Sequence, residues 1–106
     1  MSLNKRLAVL EKMTASDGAD SFAWYGLALE YKKEQRHDDA LKAFETLRAK
    51  DPQYLPMFLM AGQLLIELGR KEPAREWLEA GIELARAKGD AKALSELSSA
   101  LDETAS

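Results

Sequence analysis

The chain has 106 residues, 46% of them hydrophobic and 31% charged, with a formal net charge of −3. That is enough for one domain with a modest core, and it argues against a disordered segment or a membrane protein. Lysine and arginine nowhere form a block, which speaks against nucleic acid as a partner, and the absence of cysteine removes disulfide scaffolds, thiolate metal sites and cysteine nucleophiles.

At the N-terminus Lys5 and Arg6 precede no long apolar run, so no secretory signal is expected. No stretch approaches the roughly 18 apolar residues of a membrane span. The expectation is a soluble cytoplasmic protein. Leu3, Leu7, Leu10 and Met13 recur at helical spacing and predict a first helix within residues 1–15. Residues 15–20, rich in turn formers, read as a loop, and Asp20 or Ser21 can cap a second helix faced by Trp24, Leu27, Ala28 and Tyr31. After the polar run Lys32 to His37, Asp38 is the expected N-cap of a third helix with Leu41, Phe44 and Leu47 as its stripe, stopped at Asp51-Pro52. A fourth helix has Pro56 in its first turn and Phe58, Ala61, Gly62, Leu65 and Leu68 on one face, and Gly69 suits the left-handed residue that ends it. Pro73 reads as lying near the first position of a fifth, continued by Ala74, Leu78, Gly81, Ile82 and Ala85. Gly89-Asp90 breaks and recaps the chain before a last helix over 90–104, carrying Leu94, Leu97, Ser98 and Leu101. The total is six helices and no strand.

The chain also matches itself. Ser21 to Tyr54 overlays Leu55 to Lys88 without a gap, at a period of 34 residues. Trp24 falls on Phe58, Ala28 on Gly62, Ala40 on Ala74 and Phe44 on Leu78. A period of this length marks a helical hairpin that buries its apolar face only against a neighbour. The small residues Ala28, Gly62, Ala40 and Ala74 belong where two helices cross closely, with Trp24, Tyr31 and Phe44 filling the space beside them. Trp24, Leu27, Ala28, Tyr31, Ala40, Phe44 and Pro52 resemble the large–small–large signature of the tetratricopeptide repeat, and the second copy keeps its small positions. The resemblance implies an all-α fold, an α-solenoid of antiparallel helix hairpins. Two repeats, 21–54 and 55–88, would be flanked by a half-repeat helix at each end, all in one domain of 106 residues. The first helix reads as the second half of a hairpin whose first half is missing, and the last as the first half of a third. That last register puts Leu94, Leu97, Ser98 and Leu101 on Trp24, Leu27, Ala28 and Tyr31, and implies an extended fifth helix. The last helix also suits the polar cap of a helical stack. The whole chain resembles the small stand-alone tetratricopeptide proteins of bacteria.

In that family the first helix of each hairpin lines the inner, concave wall. The groove positions then fall on Phe22, Tyr25, Leu29, Lys32 and Lys33 in the first repeat and on Pro56, Leu59, Gln63, Ile66 and Glu67 in the second. The last helix adds Lys92, Ser95, Ser99, Asp102 and Glu103. The implied function is non-catalytic binding of a protein or peptide segment. Phe22, Tyr25, Leu29, Leu59 and Ile66 would give contact area, and Lys32, Lys33, Gln63 and Lys92 would orient the partner. The same apolar residues would alternatively serve core packing, or a self-associated inner face that makes the chain a homodimeric assembly module. The carboxylate clamp with which some relatives grip chaperone tails is not matched: Tyr25, Leu29 and Met60 occupy its places, and in the last helix Lys92 fits but Glu96 stands where a cation is wanted. No cofactor, metal or catalytic residue is expected. The single histidine, His37, lacks a second nitrogen or thiolate donor, and no nucleophile elbow or phosphate loop is present. Trp77 reads as packing against a following helix, or, if exposed, as a second contact surface.

Overall fold

Three helices, α1 (Lys5–Thr14), α2 (Ser21–Lys33) and α3 (His37–Lys50), form one compact unit of the computed structural model, and α4 (Pro56–Glu67), α5 (Lys71–Lys88) and α6 (Ala91–Asp102) form the other. The structure describes residues 4–105, and Leu3 of the first expected stripe lies outside them.

Local chemistry sets the helix ends. Asn4, Asp20 and Asp90 cap α1, α2 and α6, each side-chain oxygen accepting the N–H three residues on, from Leu7, Ala23 and Ala93. Left-handed residues end several helices through backbone bonds. Gly69 (φ 74°) and Gly89 (φ 69°) take the left-handed conformation, and the next N–H reaches back to the helix just ended, Arg70 to the Leu65 carbonyl at 2.8 Å and Asp90 to that of Ala85 at 3.0 Å. Between α2 and α3 the same reversal is made by Gln35 (φ 63°), with Arg36 N–H donating to the Tyr31 carbonyl at 2.9 Å. This tight turn overturns the expectation that Asp38 caps α3. The helix begins at His37 with Arg36 at the N-cap and no side-chain cap, so Asp38 and Asp39 sit in the first turn, where they face the positive end of the helix dipole. Pro73 is likewise the third residue of α5, still within the turn whose N–H groups have no partner inside the helix.

In the first unit α2 packs on both α1 and α3. Leu27, Ala28, Ala40, Leu41, Ala43, Phe44 and Leu47 are buried, and side chains the size of Phe44 and Leu47 contribute roughly 1.5–3 kcal/mol each. The α1 stripe differs from expectation. Leu7 and Thr14 are buried while Met13 is 49% exposed, because the face turned to α2 runs through Leu7, Leu10 and Thr14. Thr14 tolerates burial by donating its hydroxyl to the Leu10 carbonyl at 2.8 Å.

In the second unit α4 packs on α5 and α6, and α5 packs on α6. Phe58, Ala61, Gly62, Leu65, Ala74, Leu78, Gly81, Ile82, Ala85 and Leu97 are buried as the spacing requires. A further stripe on α4, Met57 and Leu64, is completely buried and was not anticipated by a one-sided pattern. The crossings are tight where small residues were expected. A Cβ on Gly62 would stand 2.5 Å from Leu78 Cδ2, and one on Gly81 would stand 2.7 Å from Phe58 Cβ. At 18 residues, α5 is the longest helix, as the junction before α6 implied. Arg75 of α5 ties down the end of α6, donating to the Thr104 carbonyl at 2.7 Å and the Thr104 hydroxyl at 3.2 Å.

Candidate functional site

Phe22, Tyr25, Leu29, Lys32 and Lys33 fall on one side of α2, because they recur at three- and four-residue intervals on a single helix. Phe22 is 71% exposed. Leu29 and Lys32 are half-buried and Lys33 is exposed. Tyr25 is also half-buried, its ring tilted against Phe44 of α3 at a centroid distance of 6.5 Å, so it serves the core as well as the surface. The two lysines occupy the last turn of α2, where a cation is favoured by the helix dipole. The one acid among residues 21–33, Glu30, is turned away from them. It is buried, 3.0 Å from Arg6 Nε and accepting from Asn4 Nδ2 at 3.2 Å, a clip that holds the start of α1. Phe22 marks the apolar end of this face, and Lys32 and Lys33 its cationic end.

In the second unit Leu59, Gln63 and Ile66 recur along one side of α4 and are all half-buried, while Phe58, Gly62 and Leu65 on the adjoining side are buried. Lys92 is the second residue of α6 and is exposed. Trp77 is buried, its ring 5.8 Å from that of Phe58, which removes the second contact surface and makes it core.

The flank of α2 opposite Phe22 holds a feature that sequence reading missed. An open groove of about 390 Å³ runs between α1 and α3, floored by Trp24, Leu27 and Tyr31 and edged by Glu11, Asp39 and Thr46. Tyr31 is fixed there, donating its hydroxyl to Glu11 Oε2 at 2.7 Å with the Arg36 guanidinium 4.6 Å above its ring. Burial, and then the bond to an anionic acceptor, push its phenol up to about 12. Spacing could not have found this groove, because it depends on how far α1 stands from α3.

His37 is the first residue of α3, half-buried, and its Nδ1 is shielded from solvent with no hydrogen-bond partner among the described residues. No group of three His, Cys, Asp or Glu side chains gathers as metal ligands among the described residues, and no helix there is long and apolar enough to cross a membrane.

A family model of the tetratricopeptide repeat matches residues 31–97, more than half of the chain. The chain belongs to the tetratricopeptide repeat family. It is similar to a tetratricopeptide repeat domain protein of Salinibacter ruber in both its solution and crystal structures. The solution structure shares 37% identity over 84% of this chain and 90% of that one, with a TM-score of 0.77. The crystal structure shares 38% over 80% and 94%, with a TM-score of 0.74. A protein of Bordetella parapertussis matches at 25% identity over 97% of this chain and 90% of that one, TM-score 0.81. PcrH of Pseudomonas aeruginosa, at 15% identity over 94% and 76% and a TM-score of 0.85, shares the fold. No curated protein matches the chain. Tetratricopeptide repeats commonly serve as protein-interaction modules and are generally non-catalytic.

Proposed function

We propose that this chain is a non-catalytic protein-binding module that receives a partner's helix or extended segment on the first helices of its hairpins. The contacts are Phe22, Tyr25, Leu29, Lys32 and Lys33 on α2, Leu59, Gln63 and Ile66 on α4, and Lys92 on α6. The observation that carries the reading is Phe22, a phenylalanine 71% exposed at the open end of a helix face that ends in two lysines. An exposed aromatic anchor beside a cationic rim fits a segment bearing apolar side chains and a carboxylate.

The test is selection of binders from a displayed random-peptide library, followed by titration of a selected peptide into wild type and Phe22→Ala. Loss of such an anchor costs about 1–2 kcal/mol, roughly tenfold in affinity. Phe22→Ala should keep the wild-type melting temperature, since its ring is mostly solvated; Tyr25→Ala, half-buried against Phe44, should lose both. Selected peptides that bind Phe22→Ala as tightly as wild type would refute the proposal.

A further inference from the structure

Among the described residues, the large hydrophobic side chains that stand exposed are Val9, Met13 and Phe22, and two of them lie on α1. Two repeat lengths along the chain, Val9, Leu10 and Met13 fall on Trp77, Leu78 and Gly81 of α5. At those positions α5 makes its seam with α4. Trp77 packs tilted against Phe58, Leu78 fills the space beside Gly62, and Gly81 lets Phe58 approach closely. α1 therefore presents the second-helix half of a hairpin seam, and among the described residues no helix precedes it to supply the first half.

α6 presents the other half. In its repeat register Leu94, Ser98 and Leu101 fall on Phe58, Gly62 and Leu65, the α4 side of the same seam. α6 has Leu97 and Ala100 buried, while Leu94, Ser98 and Leu101 are only half-buried and no described helix follows.

We propose that α6 of one copy seats antiparallel on α1 of a second copy, the two half-hairpins completing one hairpin between chains. The template is the seam of α4 with α5: Ser98 stands at the small position that Gly62 holds there, and Leu94 fits against Val9 and Met13, beside Leu10, which already meets Gly26 of its own α2. Charge agrees with this orientation. The end of α6 carries exposed Asp102 and Glu103, which would come to the start of α1 at exposed Lys5, and Lys92 at the start of α6 would come to Asp17. A single helix pair is smaller than a standard interface of about 1,600 Å², so the association should be weak and seen only at high protein concentration. This surface is distinct from the α2 and α4 faces proposed for a partner.

Sedimentation equilibrium from about 10 μM to 1 mM tests it. The average mass of wild type should rise with concentration. The double variant Val9→Glu/Met13→Glu, altered only at exposed positions, should stay monomeric at the wild-type melting temperature, and Ser98→Arg should also stay monomeric. Because the contact joins two different surfaces, mixing the α1-blocked and α6-blocked variants should restore a 1:1 dimer that grows no further. A wild type that is monomeric throughout overturns the proposal. So does association that survives Val9→Glu/Met13→Glu but is lost in Leu59→Glu, which would place the contact on the inner face. Peptide binding that persists in the α1-blocked variant separates this proposal from the partner-binding reading.

Discussion

Replacing glycine by alanine inside a helix ordinarily stabilises it, yet the same substitution should have opposite signs on α2 and α4. At Gly26 of α2 an added Cβ would lie 3.4 Å from Leu10 Cδ2, an ordinary contact with a half-buried side chain. The helical gain of about 0.5–1 kcal/mol should then appear almost undiminished. At Gly62 of α4 the new Cβ would meet Leu78 Cδ2 at 2.5 Å and Cγ at 2.6 Å. Leu78 is completely buried, so its branch point cannot swing into solvent and the helices must separate. Overpacking of this kind costs about 1–3 kcal/mol and outweighs the helical gain of about 1 kcal/mol. Gly62→Ala should lose up to about 2 kcal/mol net, a fall of up to about 10 °C in Tm, while Gly26→Ala gains a few degrees. Thermal unfolding followed by circular dichroism at 222 nm reads both. Two shifts of the same sign, or a Gly62→Ala variant at least as stable as wild type, would refute the argument that backbone approach at this crossing requires glycine.

Gln35 holds the left-handed turn that glycine makes elsewhere in the chain, so Gln35→Gly should raise the urea midpoint by an amount equivalent to about 0.5–1 kcal/mol. Ala28 is completely buried on α2, and Ala28→Leu should lower Tm sharply by overpacking; an unchanged Tm would show that the register of the first hairpin is wrong. Tyr31 is held in its neutral form up to about 12, above the ordinary tyrosine value of 10.0. An unfolded chain loses that proton first, so the stabilisation is complete below pH 10 and drains away as pH rises from 10 to about 12. Denaturant titrations over that window should fall less steeply for Tyr31→Phe than for wild type, and identical slopes would exclude a role for the Glu11 bond.

Most of the architecture was legible in the chain itself. Asp20, Asp90, Gly69 and Gly89 act on backbone groups within a few residues, so their caps and turns need nothing from the rest of the molecule. The 34-residue period places Ala28, Ala40, Gly62 and Ala74 in register; all four are buried, and at Gly62 even a Cβ would collide with Leu78. Burial on the remaining faces followed from packing. Periodicity marks Met13 and Thr14 almost equally, but only the angle at which α1 meets α2 puts the threonine inside and the methionine in water. The same holds for Tyr25 leaning on Phe44, for the second buried stripe of α4 at Met57 and Leu64, and for the groove between α1 and α3. Helical spacing records which side chains share a side of a helix. Which sides are covered depends on the distances and angles between helices, and those come from the summed fit of many side chains rather than from any local run of residues.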